Sequence, residues 1–427
     1  MNATGNISHR SSCRRWNEIG TAVDGCGCIR YYVIFAEDII YVHIDLAHMV
    51  KKRWNRREYL AIVGTISSAS VAGCLSDDGV ERVDPIDMTE IPPGDYSNSI
   101  NVWDWYVDAR DIWVEGFQEE YNIDNVGTAA YSAPTEWYSR LEAGNDEIDI
   151  VSSTGQWTTR AIENDYAKPL PVELMSGWDN VPESIKQPLD EHFSKDDEVY
   201  AIPQSISIMP ALTYNEDYFE TPPDSWDILW DEEYADRMFM WDRPRYACQI
   251  GAYYTGQGTN EEEWDLEEIK EVLIQQKDLN VTYWTEFSSA TQSFVNEEVI
   301  VGPLTDGRAH QARFQDGAPI SYAIPEAGAT YAMDVLMIPD GAPNPQTATM
   351  YLDYILRPEN IQTMYTEMSY HPPLTADGFR DAVGDDASEE AVEFLIWDEE
   401  EDVELLDPID DDLNEEIANT WEEVKAA

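Results

Sequence analysis

Positive charge is the scarcest property of this sequence. Of 427 residues, 26 are Lys or Arg against 85 Asp or Glu, a formal net charge of −59. Lysine is the rarer base, at positions 51, 52, 168, 186, 195, 270, 277 and 425. Nucleic-acid binding needs basic side chains against phosphate, so that class of partner is set aside. Histidine is also scarce, and His192, His310 and His371 form no spaced metal-ligand cluster. Of the five cysteines, Cys13, Cys26, Cys28 and Cys74 precede residue 75 and only Cys248 follows. That excludes a disulfide framework or thiolate metal site downstream. Cys248, beside Ala247 and Ile250, reads as a buried apolar thiol. Long apolar runs are missing too. Segment 31–50 is interrupted by Glu37, Asp38, Asp45 and two histidines, well short of the ~20 apolar residues of a membrane helix. No Gly-x-Ser-x-Gly elbow, P-loop, His-Glu-x-x-His or Cys/His nucleophile pattern occurs, so an enzyme is not expected.

What is present is enough to build a core. At 43% hydrophobic and 11% aromatic, the chain is no disordered acidic tail. Its length suits about two to three domains. An excess of −59 strains a compact fold by self-repulsion, and molar salt, with a Debye length of ~3 Å, screens most of it. Lysine depletion with acids along the whole chain therefore reads as halophilic adaptation. Runs such as 231–233, 261–263 and 398–402 are read as solvated faces.

The segment 51–74 reads as an address label. Lys51, Lys52, Arg53, Arg56 and Arg57 form a basic start, and Asn55-Arg56-Arg57-Glu58-Tyr59-Leu60 resembles a twin-arginine export motif. Residues 61–70 are weakly apolar, uncharged and too short to span a membrane. Val71-Ala72-Gly73-Cys74 resembles a lipobox, which implies lipidation of Cys74 and an anchor on the outer face of the cell membrane. Met49 sits directly before the basic start, so residues 1–48 read as a gene-start extension, 49–73 as the lipoprotein signal and 74–97 as a polar, Pro-containing tether.

Beyond residue 97 strands and helices alternate, which implies parallel sheets in an α/β fold. Strands are expected at 99–105, 148–151 and near 199–202, 237–241, 299–304, 320–324 and 334–338. Helices are expected at 109–121, 137–141, 265–276, 347–356 and 359–368. The stretch 388–427 mixes acids with Val, Leu, Ile and Trp and reads as amphipathic helices.

Several strings then recur in order over 99–374. They are Pro223-Asp224-Ser225-Trp226-Asp227-Ile228-Leu229-Trp230, Tyr234-Ala235-Asp236-Arg237-Met238-Phe239-Met240, Tyr322-Ala323-Ile324-Pro325-Glu326-Ala327-Gly328, Met333-Asp334-Val335-Leu336-Met337-Ile338-Pro339 and Tyr354-Ile355-Leu356-Arg357-Pro358-Glu359-Asn360. Together they resemble the spermidine/putrescine-type extracellular solute-binding proteins of ABC importers. The resemblance implies a two-lobed, periplasmic-binding-protein-like type II fold with the ligand in the cleft. Lobe 1 would comprise 98–208 and 332–375, and lobe 2 would comprise 209–331 and 376–427. It implies capture of a small organic solute, polyamine or similar, and delivery to ABC permease and ATPase subunits, without a cofactor and as a monomer. A sensing lipoprotein without transport, or an iron- or anion-binding member of the superfamily, stays open beside it.

The resemblance also assigns cleft residues. Trp103 and Tyr106 fall at first-lobe aromatic walls, Thr154 at a cleft serine, Asp334 at the amine-binding aspartate and Tyr370 at a late wall tyrosine. Arg243 and Tyr246 stand where the family has an acidic pair. Gln156, Thr305 and Ala332 stand at further wall positions. Aromatic faces would hold an apolar stem and attract ammonium ends, at about 0.5–2 kcal/mol each. A carboxylate would fix an amine by a charge-assisted hydrogen bond. Arg243 could instead favour an acidic or zwitterionic ligand. Tyr253-Tyr254 resembles the tyrosine pair of ferric-ion binders, although its surroundings suit a helix end.

Overall fold

The computed structural model describes residues 83–396, 403–406 and 408–427, together with three short N-terminal strands. Those strands, Glu18–Ile19, Tyr31–Ala36 and Ile39–Ile44, form an antiparallel sheet in a unit separate from residues 82–427. The twin-arginine segment, Met49 and Cys74 lie outside the described residues.

Two sheets organise the remainder. The first runs in the order Val403–Leu405, Ala329–Met337, Ile150–Thr154, Ser99–Trp103, Asn125–Ala129, and Ala201–Ile208 pairs with the other edge of Ala329–Met337. The second runs Asn280–Trp284, Met238–Trp241, Val301–Leu304, Ala211–Asn215, Ile320–Ala323. The chain leaves the first sheet after Ile208, turns through Met209-Pro210 and enters the second at Ala211. It returns between Ala323 and Ala329. The strand that leads into the first crossing is buried throughout, every residue of Ala201–Ile208 including Gln204, Ser205 and Ser207, whereas Glu326 and Ala327 of the second crossing are exposed. Pro203 has no N–H to give the ladder, and there the register slips: Asp334 faces Ser205 while Val335 faces Pro203. Gln204 is the extra residue.

The first core gathers Ile100, Val102, Trp113, Phe117, Ile150, Val335, Leu336 and Tyr351. A second gathers Leu212, Trp226, Met238, Ile250 and Leu273.

Several expected boundaries shift. Ile86 is buried, and Met88 and Ile91 pack on the first core, so the part of the tether from residue 83 lies on the body. The expected helix 359–368 divides into Pro358–Ile361 and Thr363–Met368. Residues 376–396, assigned above to lobe 2, place Phe379, Val383, Val392 and Leu395 in the first core. The C-terminal helix Asp411–Ala426 does join the second core through Ile417, Trp421 and Val424, and Asp242 accepts from Trp421 Nε1 (2.7 Å) and Lys425 Nζ (2.9 Å). Between them Val403–Leu405 is a strand rather than helix, paired parallel to residues 329–331.

Candidate functional site: an interlobe cavity and a buried carboxylate

Two neighbouring groups of side chains meet where the sheets join. The inner group centres on Asp334. Its strand register puts it between Thr154 and Ser205, and Tyr106 donates its hydroxyl to Asp334 Oδ2. Tyr106 is the cap residue of helix Val107–Tyr121, and its backbone N–H donates to Asp104 Oδ1 (2.8 Å). The Tyr106 ring packs edge-on to Tyr370, with centroids 5.9 Å apart. Tyr370 is buried against Gly307, where a Cβ would stand 2.6 Å from both the Ser369 carbonyl and the Tyr370 ring; only glycine permits that approach.

Charge sits deep here. Burial pushes Asp334 up to about 7, opposed by the Tyr106 hydrogen bond and reinforced by nearby Asp104. Asp104, wholly buried, is pushed up to about 6; the Tyr106 N–H, Gln204 and Arg110 pull the other way. The bulged Gln204 gives its Nε2 to Asp104 Oδ2 (2.8 Å) and accepts from Ser152 Oγ (2.6 Å). A third acid, Asp306, is also fully buried and pushed up to about 6 by burial. Its Oδ1 accepts from Ser207 Oγ (2.6 Å) and from the Gly307 N–H (2.7 Å).

The outer group lines a cavity of about 400 Å³. It contains Thr154, Gln156, Arg243, Tyr246 and Ala332, five positions singled out from sequence. The cavity lies at a gap along the strand Ala329–Met337. Ile150–Thr154 pairs with residues 334–337 and Val403–Leu405 with 329–331, which leaves Ala332 and Met333 uncovered between them. Ala332 and Asp334, two residues apart, share a strand face. Tyr246 links the groups: it stacks on Trp241 at 4.5 Å, and burial with Asp334 nearby pushes its hydroxyl up to about 12.

Trp103 and Thr305 belong to neither group. The Trp103 ring is faced by the Arg140 guanidinium, 4.9 Å from its centroid. Thr305 is fully buried, and its hydroxyl accepts the Arg308 N–H (3.3 Å) as a helix cap. The tyrosine pair is consumed by packing: Tyr253 stacks on Trp226 and Tyr254 on Trp230 at 3.9 Å. Sequence reading missed Asp104, Gln204, Ser205, Ser207 and Asp306. A glutamine and two serines inside an otherwise apolar strand were the available signal. It also missed Leu405, Leu406 and Pro408, which wall the cavity from the C-terminal segment.

The family model described as bacterial extracellular solute-binding protein matches residues 113–382. The chain belongs to this family. Among curated relatives, the spermidine/putrescine-binding periplasmic protein of Salmonella typhimurium is 24% identical over 334 residues, covering 76% of this chain and 86% of the relative. That of Escherichia coli K12 is 25% identical over 287 residues, covering 66% and 79%. A solved spermidine/putrescine ABC transporter substrate-binding protein from Streptococcus pneumoniae superposes with a TM-score of 0.66 at 18% identity, over 77% of this chain and 99% of that one. The solute-binding protein described here thus has the periplasmic-binding-protein-like α/β fold, and its cavity sits between the two sheets of that fold. Among the described residues no helix is long and apolar enough to cross a membrane.

Proposed function

We propose that this protein is the extracellular, lipid-anchored capture subunit of an ABC importer, and that its solute is a small organic amine. The observation that carries the reading is Asp334: a carboxylate only 9% exposed, bonded to Tyr106 beside Tyr370, on the strand face that also lines the interlobe cavity. A buried acid without a cation is costly, and it holds a proton near neutral pH instead. An ammonium group entering the cavity replaces that proton with a charge-assisted hydrogen bond. The names of the curated relatives, spermidine/putrescine-binding, support an amine. Loaded protein is then handed to the permease and ATPase.

Two chain connections, at 209–210 and 324–328, serve as hinge. The export motif and Cys74 support the anchor and the outer-face location; a diacylated Cys74 at the start of the membrane-extracted protein is the expected mass-spectrometric finding, and peptides from 1–48 in that fraction would exclude Met49 as the start. The ligand test is calorimetry in molar KCl with putrescine, spermidine and small monoamines. Saturable binding that Asp334→Ala removes supports the reading, and failure of every amine to bind refutes it.

A further inference from the structure

The described residues lining the cavity contain no Asp or Glu. Two arginines are there instead. Arg245 is occupied by Glu261, at 2.5 Å. Arg243 is exposed and has no ion-pair partner among the described residues.

The backbone points the same way. Helix Gly155–Glu163 starts from Thr154 on the first sheet, and Gly155 and Gln156 line the cavity. Helix Pro244–Thr255 starts from Arg243 on the second, and Pro244, Arg245 and Tyr246 line it too. Neither helix start has a side-chain cap. Two positive helix ends from opposite sheets therefore open on one cavity, with a guanidinium beside them. A diamine would set its second ammonium against this end. An anionic group would be held by it.

Resting on the amine reading above, we infer that the ligand is a compact zwitterion, its ammonium on Asp334 and its carboxylate on Arg243 and the two helix starts. Tyr246, which feels both Asp334 and Arg243, lies against the stem that joins the two charges. Leu405, Leu406 and Pro408 close the apolar side.

A chain-matched trio separates the possibilities: putrescine, 4-aminobutyrate and succinate, titrated into the purified protein by calorimetry in molar KCl. The zwitterion should bind tightest. Arg243→Gln should weaken 4-aminobutyrate about 30-fold or more, as loss of a partnered charge in a closed site does, and leave putrescine unweakened. Asp334→Asn should weaken both amines. Because Arg243 is exposed, its substitution should not move the melting temperature of the ligand-free protein, and a matching melt confirms that folding is intact. Putrescine binding tighter than 4-aminobutyrate, or an Arg243→Gln protein that binds 4-aminobutyrate normally, overturns the inference and leaves the amine reading standing. Succinate alone binding overturns both.

Discussion

The hydroxyl of Tyr106 donates to the carboxylate of Asp334, tying the cap of helix Val107–Tyr121 to the strand that returns from the second sheet. The proposed amine anchor and the packing of the first sheet therefore share one hydrogen bond. Changes at Asp334 have to be read on binding and on stability together.

Asp334 carries its proton in the folded, ligand-free state up to about pH 7, whereas its ordinary value is 3.8. A carboxyl raised in this direction stabilises the fold at low pH, and that contribution is lost as pH rises from about 4 to about 7. The slope is at most ~1.4 kcal/mol per pH unit. Asp334→Asn keeps an acceptor for Tyr106 and removes the titration. The variant should melt higher than the parent at pH 8 without ligand, with the difference shrinking toward pH 4. Amine affinity of the parent should fall below pH 7. Melts and calorimetry across pH 4–8 read both, and a parent-to-variant difference independent of pH would contradict the assignment.

Ser207 donates to Asp306 across the first crossing. Removing that donor leaves a fully buried carboxylate short of a partner, at about 1–3 kcal/mol. The bond favours the ionised acid, so Ser207→Ala should cost more above pH 6 than below it. Denaturant titrations at pH 5 and 8 in constant salt test this, and an equal cost at both values counts against it.

The C-terminal helix is held on the second core by Trp421, which is fully buried and donates to Asp242. Trp421→Ala should destabilise the protein by about 3–5 kcal/mol. Trp421→Phe keeps most of the volume and should recover much of that loss, with Asp242 still held by Lys425. Denaturant midpoints for the pair provide the check.

Net charge sets the working salt. At 0.1 M the Debye length is ~10 Å and at 1 M it is ~3 Å, so repulsion within a chain of net charge −59 is far stronger at the lower value. The melting temperature should climb steadily from 0.1 M to 2 M KCl. A flat response would argue against halophilic adaptation.

The expected strands and the first helix were legible because their periodicity is carried by apolar residues in long enough runs, such as Ser99–Trp103 and Val107–Tyr121, whereas the strands Asn125–Ala129, Ala211–Asn215 and Asn280–Trp284 were not read. Asp334 was legible as an acid inside an apolar run. Asp104 and Asp306 were not, because one residue in five is acidic and a buried acid has the same letters around it as a solvated one. Val403–Leu405 was read as helix because three residues are too few to separate a period of 2 from 3.6. The membership of 376–396 was misread because it depends on which core Phe379 and Leu395 reach, a tertiary fact that no local pattern encodes.

The route of the chain also fixes an order of events on the ribosome. Among the described strands Ala201–Ile208 pairs with one partner, Ala329–Met337, and every strand of the second sheet is synthesised between the two. When Ile208 emerges, its backbone groups have nothing to pair with for more than a hundred residues of further translation. The second sheet can complete its five strands in that interval, while the first waits half-built. A nascent chain stopped short of Ala329 would expose a largely apolar unpaired strand, which makes the finished second crossing, rather than the finished second sheet, the event that removes the aggregation hazard.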